Sequence, residues 1–213
     1  DEYVQKATPI TKQMIYFSET FRSGIEFGAT YVLFNDLKTA LQKNKKKDIE
    51  KAISSLKEAY ADVHNKDYDH EVDRKVAKVL IPLYAESVPA DALPAFYQTI
   101  QTKYKGNYDA YIDALYDNSI FSNDKNFNAF ISNPTVKAIE NDLAVQYSSS
   151  KNELSKKLNE KYDAVSGNID LLHKTYVRGL CEMYAPTPKA PDANFTIRLT
   201  YGNVKRSEGW YPL

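Results

Sequence analysis

Apolar residues recur every three or four positions along most of this chain, and the period changes only near the C-terminal end. Ile10, Met14, Phe17, Phe21, Ile25, Gly28, Tyr31, Val32 and Leu37 make one wide apolar face, which predicts a long helix from Ile10 to about Gln42. Charge is sparse on it between Met14 and Phe34. Glu19, Arg22 and Glu26 stand three and four apart, spaced to pair along one side. Gly24 and Gly28 also lie four apart. A mid-helix glycine costs about 1 kcal/mol relative to alanine, so close approach of a second helix is the expected compensation.

The lysine-rich run Lys43–Lys47 reads as a solvated turn. Asp48 is the expected cap of a second helix, whose stripe is Ile49, Ile53, Leu56, Tyr60 and Val63. A third helix carries Val72, Val76, Val79, Leu80 and Leu83, with Pro82 kinking or dividing it. Shorter helices follow: one from Val88 toward Tyr104, one over Tyr108–Asn118, and one capped by Ser122 or Asn123 and bearing Phe127 and Phe130. Asn133-Pro134 fits an N-cap followed by proline at the first helical position. From about Leu143 to Tyr184 the pattern is helical again and closes on Ile169, Leu172, Tyr176, Leu180 and Met183. Ser148–Ser150 and Ser166-Gly167-Asn168 are its weak points.

The proline-rich Ala185–Pro191 cannot continue a helix and reads as an extended linker. Beyond it the period becomes two: Phe195, Ile197, Leu199 and Tyr201 alternate with Thr196, Arg198 and Thr200, and Gly202-Asn203 ends the run. A lone strand cannot satisfy its own backbone. Its partner is a hairpin with Val204–Leu213, a second copy in a homodimer, or a sheet outside this sequence. The expected fold class is therefore all-α: an irregular helical bundle over residues 1–185, then a C-terminal linker and one β-strand or short hairpin over 186–213.

Composition narrows the function. The 213 residues balance 28 Lys+Arg against 28 Asp+Glu, which argues against a nucleic-acid binder. No run of about 18 apolar residues marks a membrane span. Asp1-Glu2-Tyr3 opens without a charged-then-apolar leader, as a mature protein or a trimmed segment would. The single cysteine, Cys181, rules out an internal disulfide framework and reads as a buried, inert thiol. The 17 tyrosines beside 7 glycines favour helices packed through amphipathic rings, hydroxyls toward water, over a sugar or peptide platform.

Candidate chemistry is thin. Nucleophilic catalysis by serine needs a tight Gly-flanked loop and a base, whereas Ser23-Gly24 and Ser166-Gly167 sit inside helical patterns. His64 and His70 flank a polar turn with Asp67, Asp69, Glu71 and Asp73, but without a metal-ligand spacing, so solvated turn residues are the better reading. His173 beside Tyr176 reads as a hydrogen-bonded helix histidine. Asp109 and Asp113, at i and i+4, read as a solvated helix face. No catalytic residue, metal site or cofactor is expected in this chain.

Several blocks nonetheless carry a family resemblance. The run Pro191–Lys205 (PDANFTIRLTYGNVK) resembles a signature of the bacterial serine dipeptidyl-peptidases, the group typified by dipeptidyl-peptidases seven and eleven. Gly106–Pro134, Tyr68–Val76 and Tyr176–Tyr184 are similar to the same family. The resemblance implies a helical domain inserted into a chymotrypsin-like double β-barrel that carries the Ser-His-Asp triad and releases dipeptides from peptide N-termini. This chain resembles the later part of that insertion plus the first returning strand, with the triad outside it. Asp192, Asn194, Arg198 and Gly202 are then structural signature residues, and the tail Arg206–Leu213 departs from the family pattern. Further implications are a peptide substrate met through the parent's barrel and export to the periplasm or cell surface. On this reading the isolated chain is catalytically silent. A stand-alone helical module that binds peptide or sugar through exposed tyrosines is the competing expectation.

Overall fold

The computed structural model describes residues 2–64 and 68–185, apart from the side chains of residues 29, 30 and 64. All regular structure among them is helical: α1 (Glu2–Ser18), a π-helical turn (Glu19–Gly24), a 3-10 turn (Ala29–Leu33), α2 (Phe34–Gln42), α3 (Lys46–His64) and α4 (His70–Ser87). After a short 3-10 turn (Ala90–Ala92) come α5 (Phe96–Lys103), α6 (Tyr108–Asn118), α7 (Asp124–Ser132), α8 (Val136–Asn141) and α9 (Leu143–Met183). The all-α class holds. The predicted strand and its residues Asp192, Asn194, Arg198 and Gly202 lie outside the described residues. The chain divides into two compact units, Asp1–Ile169 and Asp170–Leu213.

In the first unit, side-chain oxygens close the helix starts. Asp69 accepts from the N–H groups of Glu71 and Val72, Asn107 from Ala110, Asn123 from Asn126, Thr135 from Ala138, and Asp142 from Ala144 and Val145. These bonds satisfy donors that a helix end leaves without intrahelical partners. The cap before α8 is thus Thr135, not Asn133. α4 runs through Pro82 instead of dividing there, and Asp48 lies within the first turn of α3.

The core is aromatic. Phe34 is enclosed by Tyr31, Phe121 and Phe130, while Tyr60 stacks on Phe127 with ring centroids 4.1 Å apart. Several buried tyrosine hydroxyls are satisfied internally instead of reaching for water, whereas the buried Tyr147 hydroxyl has no hydrogen-bond partner among the described residues. Tyr84 donates to Ala92 O, Tyr97 to Ile81 O and Tyr60 to Asp124, while Tyr31 accepts from the Phe121 N–H. Each such bond turns a bulky apolar residue into a specific register between two elements.

Three expectations change. α4 buries Asp73, Ala77, Ile81 and Tyr84, so its inward face is rotated from the predicted valine stripe, and Val72, Val79 and Leu83 are exposed. Asp113 is not simply solvated: it takes Lys78 Nζ at 2.7 Å, and Arg74 reaches it and Asp117, clasping α6 to α4. In the second unit, Cys181 is exposed on α9, as are Leu172, Tyr176 and Met183 of the predicted closing stripe. That stripe is apolar in sequence, but nothing in the unit's described residues covers it.

Candidate functional site

The predicted helix from Ile10 to Gln42 does not run through. It ends at Ser18, widens into the π-helical Glu19–Gly24, turns at Ile25–Gly28 and resumes after the 3-10 turn. Ile25 is extended (φ −114°, ψ 113°) and Gly28 is left-handed (φ 88°), a conformation that glycine adopts without strain. π-turns inside helices frequently mark functional positions.

Asp73 holds this break in place. Its Oδ1 accepts from the Glu26 N–H at 2.9 Å, and its Oδ2 accepts from the Phe27 N–H at 2.9 Å and the Tyr116 hydroxyl at 2.7 Å. The Tyr68 hydroxyl adds a fourth donor at 3.3 Å. Two of these donors are peptide groups that a continuous helix would have bonded within itself. Burial first, and then the Asp73 charge, raise the hydroxyl pKa of both Tyr116 and Tyr68, so both stay protonated donors. Gly24 allows the accompanying approach of α4, because a Cβ there would lie 2.5 Å from Leu80 Cδ1. Gly28 serves differently: its Cβ would meet the Tyr147 ring at 3.2 Å.

The break opens a cleft of about 960 Å³ in the first unit. Phe17, Phe21, Ile25, Phe27, Tyr31 and Phe121 form its apolar wall, and α9 contributes Ser148, Lys151, Asn152 and Ser155. Arg22, expected to pair with Glu19 and Glu26, instead donates to Ser155 Oγ at 2.8 Å and ties the π-turn to α9. Glu26, Asp62 and His70 complete the polar edge. The His70 ring meets those of Tyr116 and Phe27 edge-on, and burial, with the Arg74 charge second, holds its pKa below the usual histidine value.

Lys151 is the unusual group. It is 7% exposed, and its ammonium stands 4.3 Å from the centre of the Tyr147 ring. Burial lowers its pKa to about 8, with Asp73 acting in the opposite sense. Ser148 and Lys151 have the spacing of a serine–lysine pair, but no hydrogen bond joins them among the described residues. The ammonium turns to ring faces instead.

The residues singled out from sequence are scattered. Ser23 is exposed on the π-turn, and Ser166 lies half-buried within α9. Asp69 caps α4, Glu71 lies 3.8 Å from Arg74, and Asp73 is occupied by its four donors. The side chain of His64, and Asp67, lie outside the described residues, and among those described no three His, Cys, Asp or Glu side chains converge on a metal position. His173 is exposed. Lys151 and the role of Asp73 were missed. The available signal was a charged residue inside an apolar spacing: Asp73 before Ala77 and Ile81, and Lys151 between Tyr147 and Leu154-Leu158.

The sequence pattern of the peptidase S46 family matches residues 1–211. This chain belongs to that family. It is 63% identical over 206 residues to dipeptidyl-peptidase 7 of Phocaeicola vulgatus, covering 96% of the chain and 28% of that protein. It is 32% identical over 205 residues to the Asp/Glu-specific dipeptidyl-peptidase of Porphyromonas gingivalis, with 96% and 28% covered. The crystal structure of Porphyromonas endodontalis DPP11 in complex with the dipeptide Arg-Glu matches 92% of the chain and 28% of its own, at a TM-score of 0.77 and 24% identity. At that identity the match speaks for the fold. The S46 chain described here thus spans 28% of the length of these curated relatives. No helix among the described residues is long and apolar enough to cross a membrane.

One consequence for the S46 cleft is testable at Gly28. Gly28→Ala places a Cβ at positive φ and against Tyr147. Left-handed backbone costs a non-glycine residue about 1–2 kcal/mol. The expected result is a Tm lower by about 3–6 °C, read by circular dichroism; an unchanged Tm would mean that the turn relaxes freely.

Proposed function

We propose that this chain is the helical domain of an exported serine dipeptidyl aminopeptidase, in which it caps the active-site cleft. Only a peptide N-terminus then enters, and cutting stops after two residues. The catalytic Ser, His and Asp belong to the rest of the parent protein, and the isolated chain is catalytically silent. Residues 1–185 are the cap, and 186–213 are the linker and strand that return to the catalytic barrel. The site of action is the periplasm or the cell surface.

The observation that carries this reading is the 63% identity with dipeptidyl-peptidase 7 of Phocaeicola vulgatus over 96% of the chain. The apolar cleft beside the π-turn supports it, as a surface on which an extended peptide can be oriented.

The test is an exchange. The matching segment of the Phocaeicola vulgatus enzyme is replaced by this chain, and in a second variant by a flexible Gly/Ser linker. The first variant is expected to release dipeptides within about tenfold of the parent kcat/KM. The linker variant should lose on the order of 100-fold, because positioning of the peptide is lost. Dipeptide release that survives the linker unchanged would overturn the capping role. Hydrolysis of dipeptidyl substrates by the isolated chain would overturn its silence.

A further inference from the structure

Most buried charges in proteins are paired or bound to something. The Lys151 side chain is buried in the wall of the cleft, and among the described residues no ion pair or hydrogen bond holds its ammonium. Its surroundings are the Tyr147 ring at 4.3 Å, the Phe21 ring at 5.8 Å, and Gly28, whose Cβ position lies 3.9 Å from Nζ. Ring faces compensate a cation in part, though less than a carboxylate does. Asp73 acts on the ammonium through space, but its oxygens are committed to Glu26, Phe27, Tyr68 and Tyr116. The charge thus faces the cleft with its hydrogen-bonding capacity open.

We propose that Lys151 receives the carboxylate of a peptide segment whose apolar side chain packs on the aromatic wall of this cleft. The wall supplies the apolar contact through Phe21, Phe27, Tyr31 and Phe121. The charge balance selects a singly charged anion. Glu26 and Asp62 also line the cleft and Asp73 lies behind it, against the cations Lys151 and Arg22, so with carboxylates outnumbering cations a doubly charged phosphate would meet more repulsion than a carboxylate. Asn152 and Ser155 lie one and four positions along α9 and add hydrogen-bonding groups at the edge. The carboxylate comes from a chain terminus or from an Asp or Glu side chain. The choice of a peptide as ligand rests on the dipeptidyl-peptidase reading above; the choice of a carboxylate rests on the cleft.

Three probes separate these sources. The chain is titrated at pH 7 with N-acetyl-Leu-Phe as the free acid, with the same peptide as its C-terminal amide, and with N-acetyl-Leu-Glu-Phe amide. Binding is read from the amide NMR signals of Phe27 and Gly28. The free acid is expected to saturate these shifts and to bind at least about tenfold more tightly than the amide, a charge-dependent preference. The Glu peptide binding like the free acid would mean that either carboxylate is accepted; binding like the amide would restrict the site to a chain terminus. Lys151→Met should erase the difference between acid and amide, and Lys151→Arg should keep it.

A pH series on the unaltered chain needs no variant to fold. The titratable and charged groups around the cleft are Arg22, Glu26, Tyr31, Asp62, Tyr68, His70, Asp73 and Tyr147, and burial raises the pKa of the three tyrosine hydroxyls. Between pH 7 and 9 His70, with its lowered pKa, is largely neutral. Acid selectivity should therefore fade as Lys151 deprotonates near pH 8. Equal binding of acid and amide, selectivity that survives Lys151→Met, selectivity unchanged at pH 9, or no binding of any probe each overturns the proposal. The segment exchange described above reads the capping role in the parent enzyme independently, so loss of this site leaves that role standing.

Discussion

Asp73→Ala should cost the fold about 4 kcal/mol. The carboxylate is 6% exposed and accepts from four donors. Hydrogen bonds to a charged group contribute about 1.5–3 kcal/mol each, and each buried donor left without a partner costs about 1–3 kcal/mol. The Glu26 and Phe27 N–H groups have no helical acceptor to return to, because Ile25 is extended and Gly28 is left-handed. The tyrosine hydroxyls are freer to turn, which keeps the total below the simple sum. Against a typical domain stability of about 5–15 kcal/mol this is a large fraction. Asp73→Asn is expected to cost somewhat less, about 3 kcal/mol, since one accepting oxygen remains while an NH₂ group now faces donors. Urea unfolding followed by circular dichroism measures both. A loss below about 1 kcal/mol for the alanine variant would show that the turn holds without the carboxylate.

The opposite sign is expected at Lys151. Its pKa is lowered from 10.5 to about 8 by burial. At about 1.4 kcal/mol per pKa unit this is a penalty of about 3 kcal/mol on the charged form. The folded-state value lies below the unfolded one, so the unfolded chain binds the proton more tightly. The penalty is fully present below pH 8, shrinks between about 8 and 10.5, and vanishes above. Lys151→Met, which keeps an unbranched apolar stem, is expected to stabilise the chain at pH 7 by about 2 kcal/mol after the loss of the ring contacts. That advantage should fall by more than half at pH 10. Urea midpoints for both proteins at the two pH values test this, and a variant less stable than the parent chain at pH 7 would contradict it. The same substitution is expected to erase carboxylate selectivity in the cleft. A residue that costs stability and confers binding is the usual trade at a functional site.

The local pattern carried much of the fold. Residue spacing set the helical class, the bounds of the Tyr108–Asn118 helix, a cap at Ser122 or Asn123 that the structure assigns to Asn123, and the helix that runs on from Leu143. These depend on interactions spanning a few residues, which the chain itself displays. The family blocks Tyr68–Val76 and Gly106–Pro134 fall within the matched region.

The site was less legible because long-range bonds build it. A helix was expected through residues 19–33 from apolar periodicity, but Asp73 draws off two peptide N–H groups from 46 and 47 positions away. The inward face of α4 turned out to be Asp73-Ala77-Ile81-Tyr84. A buried carboxylate with four donors outweighs the modest gain from burying a valine stripe. The hydroxyls of Tyr60, Tyr84 and Tyr97, expected in water, found carbonyls and a carboxylate on other elements. Lys151 drew no expectation from the sequence, and it is α9 that places it against Phe21, Tyr147 and Gly28.

The sequence by itself therefore determined the helical class, some helix ends and the peptidase S46 membership, because those follow from short-range periodicity, capping and matching motifs. Only the tertiary structure decided where the first long helix breaks, which face α4 buries and that a lysine ammonium lines a cleft. Each of those outcomes depends on which distant polar groups can satisfy one another once water is excluded.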